Sequence, residues 1–448
     1  MNLESLGKTR VLILGFGKEG IDSFKLLRKL FPKKIIEVAD KRPFNKLDGE
    51  AKRLLESDER KELYLGETYL DDLGRYDFIL KSPGVPFYLS ELEEARGEGV
   101  EITSQTEIFL DNCPGLVIGV TGTKGKSTTA SLINAILRRS MLKTHLVGNI
   151  GKPALSLLSQ ATEEDIYVYE MSSHQLSTLK QSPTIAVFLN IFAEHLDYYV
   201  DFEQYVQAKS NIANYQDESD YLIYNGNDIL VEEVASGSKA EKIDFNNIDL
   251  DNIISREEIP LKGDFNRENI KAAVAVARIF KIPDEKIKEA ISKFRPLPHR
   301  LEFIGEFKGI EFYNDALSTI PEATIAAMKT LGDNVETIIL GGHEREQRFD
   351  ELAELVLESN IRNVILFPTT GERIWKIMEL INQQKKIGKM PNSFPVENME
   401  DAVRIAYENT DEGKICLLST ASPSFSIFKD YKEKGELFKK YVKEFSDD

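Results

Sequence analysis

Short apolar runs recur along the chain, and between them apolar residues return every three or four positions. The runs include RVLILGFG, KIIEVAD, FILKSPG, LVIGVTG, IYVYEMS, IAVFLNIF, ETIILGG, NVILFP and ICLLST. Their near-continuous hydrophobicity predicts strands covered on both faces, and the amphipathic stretches between them predict parallel crossovers. The predicted fold class is α/β, built from several such units. With 448 residues, at roughly 100–200 residues per domain, about three domains are expected. The pattern breaks near ITSQTEIFLDNCPG and again near FRPLPHR, where prolines interrupt a helix and a strand pair, LEFIGEFKGIEFYND, begins. These breaks give expected domains at residues 1–104, 105–298 and 299–448. The stretch from Asn225 to Glu268 is polar and of short period, and it predicts no element. The C-terminal KDYKEKGELFKKYVKEFSDD has mixed charge at helical spacing and predicts an amphipathic terminal helix.

Composition narrows the function. The net charge of −17 argues against nucleic-acid binding, because phosphate backbones are met by basic surfaces. A small anion is not excluded, since helix N-termini and a few placed cations can hold a phosphate against the global field. No apolar stretch is long enough to span a bilayer, and the N-terminus lacks a secretory signal pattern. The two cysteines, Cys113 and Cys416, predict no disulfide framework and fit a reducing cytoplasm.

Two glycine loops carry the chemistry. Val120-Thr-Gly-Thr-Lys-Gly-Lys-Ser-Thr-Thr129 lies between an apolar run and a helical pattern, the setting a phosphate-cradling loop needs. Gly122, Thr123, Lys124 and Gly125 form the turn, Lys126 supplies a charge, Ser127 offers a hydroxyl to Mg²⁺, and Thr128 precedes the helix predicted over TASLINAILRRS. The first glycine stands at 122; the usual spacing would put it at Val120. The other loop, Gly15-Phe-Gly17-Lys-Glu-Gly20, also sits between strand and helix patterns, and Asp40 follows a second strand. That is the dinucleotide fingerprint, with the acid placed for a ribose hydroxyl. Alone it suggests a nicotinamide oxidoreductase. With an ATP-type loop downstream, it suggests a domain holding a nucleotide-bearing substrate. Glu170 and His195 stand at the ends of two later strand runs, where ligands bind in open α/β sheets. Each reads equally as a metal or phosphate contact and as a capping or structural residue.

These motifs form a series: VTGTKGKSTT, Gly148-Asn149-Ile-Gly151, Glu170-Met-Ser-Ser, Asn190 through His195-Leu-Asp197, and Ala208-Lys209. Gly263-x2-Asn266-x2-Asn269, Arg295-Pro-Leu-Pro-His-Arg300-Leu-Glu302, Asn314-Asp315, Gly341-Gly342 and Leu417-Leu-Ser-x3-Pro-Ser424-Phe follow. Their order and spacing resemble the Mur ligase family over nearly the whole chain. The first unit, with Lys81-Ser82-Pro83-Gly84, is similar to that of the glutamate-adding branch. The resemblance implies a Rossmann-like N-terminal domain for a UDP-sugar, a central P-loop ATPase-type parallel sheet, and a C-terminal Rossmann-like α/β domain for glutamate. It also implies ATP and two Mg²⁺ ions, with Lys126, His195, Lys209 and Asp315 catalytic. Ser127, Glu170, His195 and a carbamylated Lys209 would hold metal. The 122–128 loop, Asn269, Arg300 and Asp315 would hold ATP. Gly17, Lys18, Asp40, Arg42, Ser82 and Asn149 would contact the UDP-sugar. Thr319, Arg345, Ser424 and Tyr431 would surround glutamate. Without the resemblance, Lys209 reads as an ordinary helix lysine.

The sequence departs from the family at Leu317, where a lysine is common, at Arg345, at Tyr431, and at Gln347-Arg348. A related subgroup that adds L-glutamate also lacks that lysine and shares the Arg-Pro-Leu-Pro and Pro-Ser-Phe stretches. The expected reaction is ATP-dependent addition of D-glutamate to UDP-N-acetylmuramoyl-L-alanine through an acyl phosphate, with L-glutamate or a folylpolyglutamate-type reaction as alternatives. A nucleotide-switch regulator would hydrolyse ATP without glutamate. The expected partners are small substrates, with no nucleic acid and no membrane, and the chain is expected to be a cytoplasmic monomer.

Overall fold

The computed structural model describes residues 3–86, 88–192 and 198–446. Its strands fall into three sheets. The first contains β1 (Val11–Leu14), β2 (Ile36–Asp40), β3 (Lys61–Leu65), β4 (Phe78–Lys81) and β5 (Glu101–Thr103), in the order β3-β2-β1-β4-β5, all parallel. The second contains β6 (Leu116–Thr121), β7 (Thr144–Gly148), β8 (Ile166–Glu170), β9 (Ile185–Phe188), β10 (Tyr221–Tyr224) and β11 (Glu241–Asp244). Its order is β11-β10-β9-β6-β8-β7, again all parallel. The third contains β12 (Glu302–Phe307), β13 (Ile310–Asn314), β14 (Val335–Gly341), β15 (Asn363–Phe367), β16 (Asn392–Pro395) and β17 (Ile415–Leu418). Its order is β12-β13-β17-β14-β15-β16, and β12 pairs antiparallel with β13, as the LEFIGEFKGIEFYND pair predicts. The α/β class with parallel sheets is therefore observed.

The chain forms two compact units. One comprises residues 1–260 and 265–294 and holds the first two sheets; the other comprises 261–264 and 295–448 and holds the third. In the first unit one apolar cluster runs through both sheets. The segment near ITSQTEIFLDNCPG, where a break in the pattern is expected, is a buried connection between the two sheets. It forms the helix Gln105–Asn112, capped by the Ser104 hydroxyl accepting from Glu107 N. Phe109 packs edge-on against Tyr167 and Tyr169, at centroid distances of 5.1 and 5.6 Å. Burying such a ring contributes roughly 2–3 kcal/mol, which no solvated linker could match. Gln105 Nε2 donates to Asp22 Oδ2 at 2.7 Å, tying that helix to the one that follows the first glycine loop.

The polar stretch with no predicted element does contain structure: β10 precedes it, and it holds the helix Ile229–Gly237 and the edge strand β11. Both are too short to show a period. The Asp228 carboxylate caps that helix by accepting from Leu230 N and Val231 N. The C-terminal amphipathic helix is present as Tyr431–Glu444. No helix among the described residues is long and apolar enough to cross a membrane.

Candidate functional site

The first glycine loop follows β1 at the point where the strand order of its sheet reverses, between β1 and β4. Gly15 has φ of +90°, and a Cβ there would meet Ser82 Cβ at 2.9 Å, so only glycine fits. Ser82, just after β4, closes the turn by donating from its hydroxyl to Gly15 O at 2.7 Å. A Cβ on Gly17 would meet nothing within 4 Å, so its backbone is left open to a ligand. A cavity of about 1040 Å³ opens there, and its lining includes Gly17, Lys18, Asp40, Arg42, Ser82 and Asn149. The structure thus gathers every sequence-predicted UDP-sugar contact into one cavity.

Asp40 ends β2. Its Oδ2 accepts from Phe16 N at 2.7 Å, and its carboxylate is paired with the Arg42 guanidinium at 2.9 Å. Burial pushes the Asp40 carboxyl up, but Arg42 and the two backbone N–H donors outweigh it and hold it below the usual range. Glu19, in the first helical turn, accepts from Gln175 Nε2 at 2.6 Å, while its other oxygen is buried without a partner. Burial pushes the Glu19 carboxyl up to about 7 and the nearby Lys81 ammonium down to about 8.

The second loop follows β6 and is filled by its own side chains. Gly125 has φ of +85°, and a Cβ there would lie 2.2 Å from Asn269 Oδ1. Asn269, on the helix Asp264–Ile279, also accepts from the Thr129 hydroxyl at 3.1 Å. Asn190, just beyond β9, clamps the other side: its Oδ1 accepts from Lys124 N at 2.8 Å, and its carbonyl accepts from Thr123 N at 2.8 Å. Lys126 Nζ donates to Gly122 O and Thr123 O at 2.8 and 2.9 Å. Lys209 is 2 % exposed, and its Nζ donates to the same Gly122 O at 2.8 Å. Two side-chain amines therefore converge on one carbonyl at the loop. Ser127 is buried in the first helical turn, and Glu170 ends β8, where its Oε2 is buried without a partner.

The Ser127 hydroxyl and the orphaned Glu170 oxygen are hard donors of the kind Mg²⁺ takes, so these residues fit that ion. His195 and its neighbour Asp197 lie outside the described residues. Among the described residues no group of three His, Cys, Asp or Glu side chains gathers at metal-holding distance.

The second unit carries the remaining predictions, with Asp315, Thr319, Arg345 and Ser424 beyond the carboxyl ends of adjacent strands. Asp315 follows β13; its carboxylate accepts from Leu301 N at 3.0 Å and from the Ser419 hydroxyl at 2.8 Å. Burial pushes it up to about 6 despite those donors. Arg300 is half-buried in the turn before β12. Thr319 lies four residues beyond Asp315, Arg345 is exposed in the loop after β14, and Ser424 is buried after β17. Tyr431 opens the C-terminal helix, with its ring edge-on to His299 at 6.0 Å.

Four residues given no role by the sequence emerge here. Asn190 clamps the loop, and Tyr205 shares a hydrogen bond with the Thr123 hydroxyl at 3.0 Å. Lys434 is buried, donates to the Thr420 hydroxyl at 2.5 Å, and is pushed down by burial to about 7. Gln347 Nε2 donates to Thr319 O at 2.8 Å. Asn190 was signalled by its place at a strand end; the other three depend on long-range packing that no local pattern shows.

Comparison with known proteins agrees with this arrangement. The Mur ligase middle domain matches residues 120–252, and the Mur ligase glutamate ligase domain matches residues 299–422. The UDP-N-acetylmuramoylalanine–D-glutamate ligase of Acetivibrio thermocellus is 33% identical over 401 residues, covering 84% of this chain and 85% of that protein. The enzyme of the same name from Symbiobacterium thermophilum is 32% identical over 460 residues, covering 98% of each. Among solved structures, the UDP-N-acetylmuramate–alanine ligase MurC of Thermotoga maritima shares the fold, with a TM-score of 0.59 at 15% identity, covering 98% of this chain and 99% of that one. The MurF ligase of the same organism, solved in complex with ADP, gives a TM-score of 0.56 at 16% identity over 97% of this chain and 95% of that one. With both glycine loops built as described and relatives matching along most of its length, this chain belongs to the Mur ligase family.

Proposed function

We propose that the chain joins D-glutamate to the alanyl carboxylate of UDP-N-acetylmuramoyl-L-alanine at the expense of ATP, as its relatives' name describes. The observation that carries this reading is the cavity at the first glycine loop, lined by Gly17, Lys18, Asp40, Arg42, Ser82 and Asn149 together. A second glycine loop in the same unit, now held by the Lys126 and Lys209 amines, would take ATP. A carboxylate is a poor electrophile, so phosphoryl transfer from ATP first makes an acyl phosphate. The glutamate amine then attacks, and the tetrahedral intermediate expels phosphate.

Lys126 would leave the Gly122 and Thr123 carbonyls to meet the β- and γ-phosphates, and Asn190 keeps the loop's backbone in place meanwhile. Gly122 through Thr128 would cradle the phosphates; Asn269, Arg300 and Asp315 are assigned to ATP by the family resemblance. Ser127 and Glu170 would hold one Mg²⁺, and His195 with a carbamylated Lys209 a second; the ions supply charge neutralisation at the transferring phosphoryl group. Carbamylation replaces the Lys209 ammonium with an anion, which relieves the crowding of two cations at Gly122 O. Thr319, Arg345, Ser424 and Tyr431 are assigned to glutamate. The domain division at 1–104, 105–298 and 299–448, a monomeric state and a cytoplasmic location complete the reading.

The test offers D- and L-glutamate separately to purified protein with ATP, Mg²⁺ and UDP-N-acetylmuramoyl-L-alanine, reading phosphate release and product mass. D-glutamate-dependent release with the expected mass is predicted. Release with L-glutamate alone would reassign the enantiomer, and glutamate-independent release would replace the ligase with a nucleotide switch.

A further inference from the structure

In the second unit the loops after β13, β14 and β17 lie side by side at the carboxyl edge of the sheet. His343 N donates to Pro423 O at 2.7 Å, which joins the loop after β14 to the loop after β17. Gln347 Nε2 donates to Thr319 O at 2.8 Å, which joins the loop after β14 to the loop after β13. That second bond fixes the amide orientation, because a carbonyl only accepts. The Gln347 backbone is held as well: its carbonyl accepts from Arg373 Nη2 at 2.6 Å, and Arg373 is paired with Glu344 at 3.1 Å over the Phe349 ring. The side chain is thus locked with Oε1 buried and without a partner. The hydroxyls of Ser424 and Ser426, after β17, are likewise buried and unpartnered. An unmet buried polar atom costs roughly 1–3 kcal/mol, so one unmet acceptor and two unmet hydroxyls on joined loops call for a ligand that completes them.

Glutamate has the matching complement: its amine is its sole strong donor, and its two carboxylates are acceptors. We propose that Gln347 Oε1 accepts an N–H of the attacking amine of glutamate, while Ser426, beside the Ser424 already assigned to glutamate, donates to a carboxylate. This inference rests on the ligase reading. In the neutral amine, one N–H given to Gln347 leaves the lone pair free for attack. Gln347 is therefore a binding residue that orients the nucleophile and distinguishes an amino acid from a plain diacid.

The test uses the full chain with saturating ATP, Mg²⁺ and UDP-N-acetylmuramoyl-L-alanine. It compares KM for glutamate with Ki for glutarate, the same diacid without the amine. Gln347→Met keeps the length and removes the acceptor; it should lower the ratio of glutarate Ki to glutamate KM by roughly tenfold or more. Gln347→Glu places an anion against the amine and should raise that ratio. A general loosening of the loop would weaken both ligands equally and leave the ratio where it was. A ratio that is unmoved, or moves the same way in both variants, overturns the assignment. Should Gln347→Met melt early, the rise in Gln347→Glu carries the test alone, and a fall or no change there overturns it. Wild-type protein that releases no phosphate with either glutamate enantiomer would instead overturn the ligase reading, and this assignment with it.

Discussion

The two glycine loops have the same local plan, strand then glycine turn then helix, yet they meet the solvent in opposite ways. The first opens onto a cavity of about 1040 Å³, and its acid, Asp40, already has its countercharge in Arg42. The second is occupied by itself, with Lys126 and Lys209 both donating to Gly122 O. On the proposed reading, one loop offers shape and backbone N–H groups to a bulky ligand. The other stores positive charge for a compact, highly charged one. On that reading, the same secondary structure would sort two nucleotides by which side chains surround it.

The two loops differ most in charge, and the largest effects are expected there. Lys126→Ala should lower glutamate-dependent phosphate release on the order of a thousandfold, because phosphoryl transfer depends on electrostatic stabilisation of the transferring group. Steady-state assays with all three substrates check this. Lys209→Ala should fall somewhat less, on the order of a hundredfold, and recover in part with added small carboxylates; wild-type rates in that variant would remove the second-metal proposal. Glycine substitutions sharpen the contrast between a filled loop and an open one. Gly125→Ala drives a Cβ to 2.2 Å from Asn269 Oδ1 and should cost about 3 kcal/mol of stability in denaturant unfolding. Gly17→Ala meets nothing within 4 Å; it should leave unfolding unchanged while raising KM for the UDP-sugar roughly tenfold.

The smallest effect is a pH dependence at the first loop. Glu19 is raised to about 7 by burial, so the native state binds its proton more tightly than the unfolded chain does. Its stabilising contribution is complete below the ordinary carboxylate range and is lost as pH rises through about 7. Glu19→Gln should therefore melt roughly 2 °C above wild type near pH 8, with the gap closing near pH 4 in calorimetry.

Much of this was legible in the sequence because the signals are local. Apolar runs gave the strands, and each glycine loop carries its own turn, its own helix start and its own neighbouring acid or lysine. Asp40 and Arg42 sit two residues apart, so their ion pair needs no tertiary information. Lys209 was legible only through family resemblance: a lysine on the helix Phe202–Ser210 carries no local sign that it reaches Gly122 O, far earlier in the chain. Gln347 was visible as a departure from the family but not as a locked amide, because its lock depends on Thr319 and Arg373. The change of pattern at Gln105–Asn112 was legible, but the burial of that helix was not, because it depends on Tyr167 and Tyr169, supplied by the next sheet.

Asn269 bears on how the protein can be dissected. It lies beyond residue 252, where the match to the middle domain stops, yet its side chain caps the turn at Gly125 and accepts from Thr129. A fragment trimmed to the matched segment would keep every residue of the phosphate motif and lose the amide that covers it. Weak nucleotide affinity in such a fragment would report the missing helix rather than a fault in the motif, so excision should run through residue 294, where the first compact unit ends.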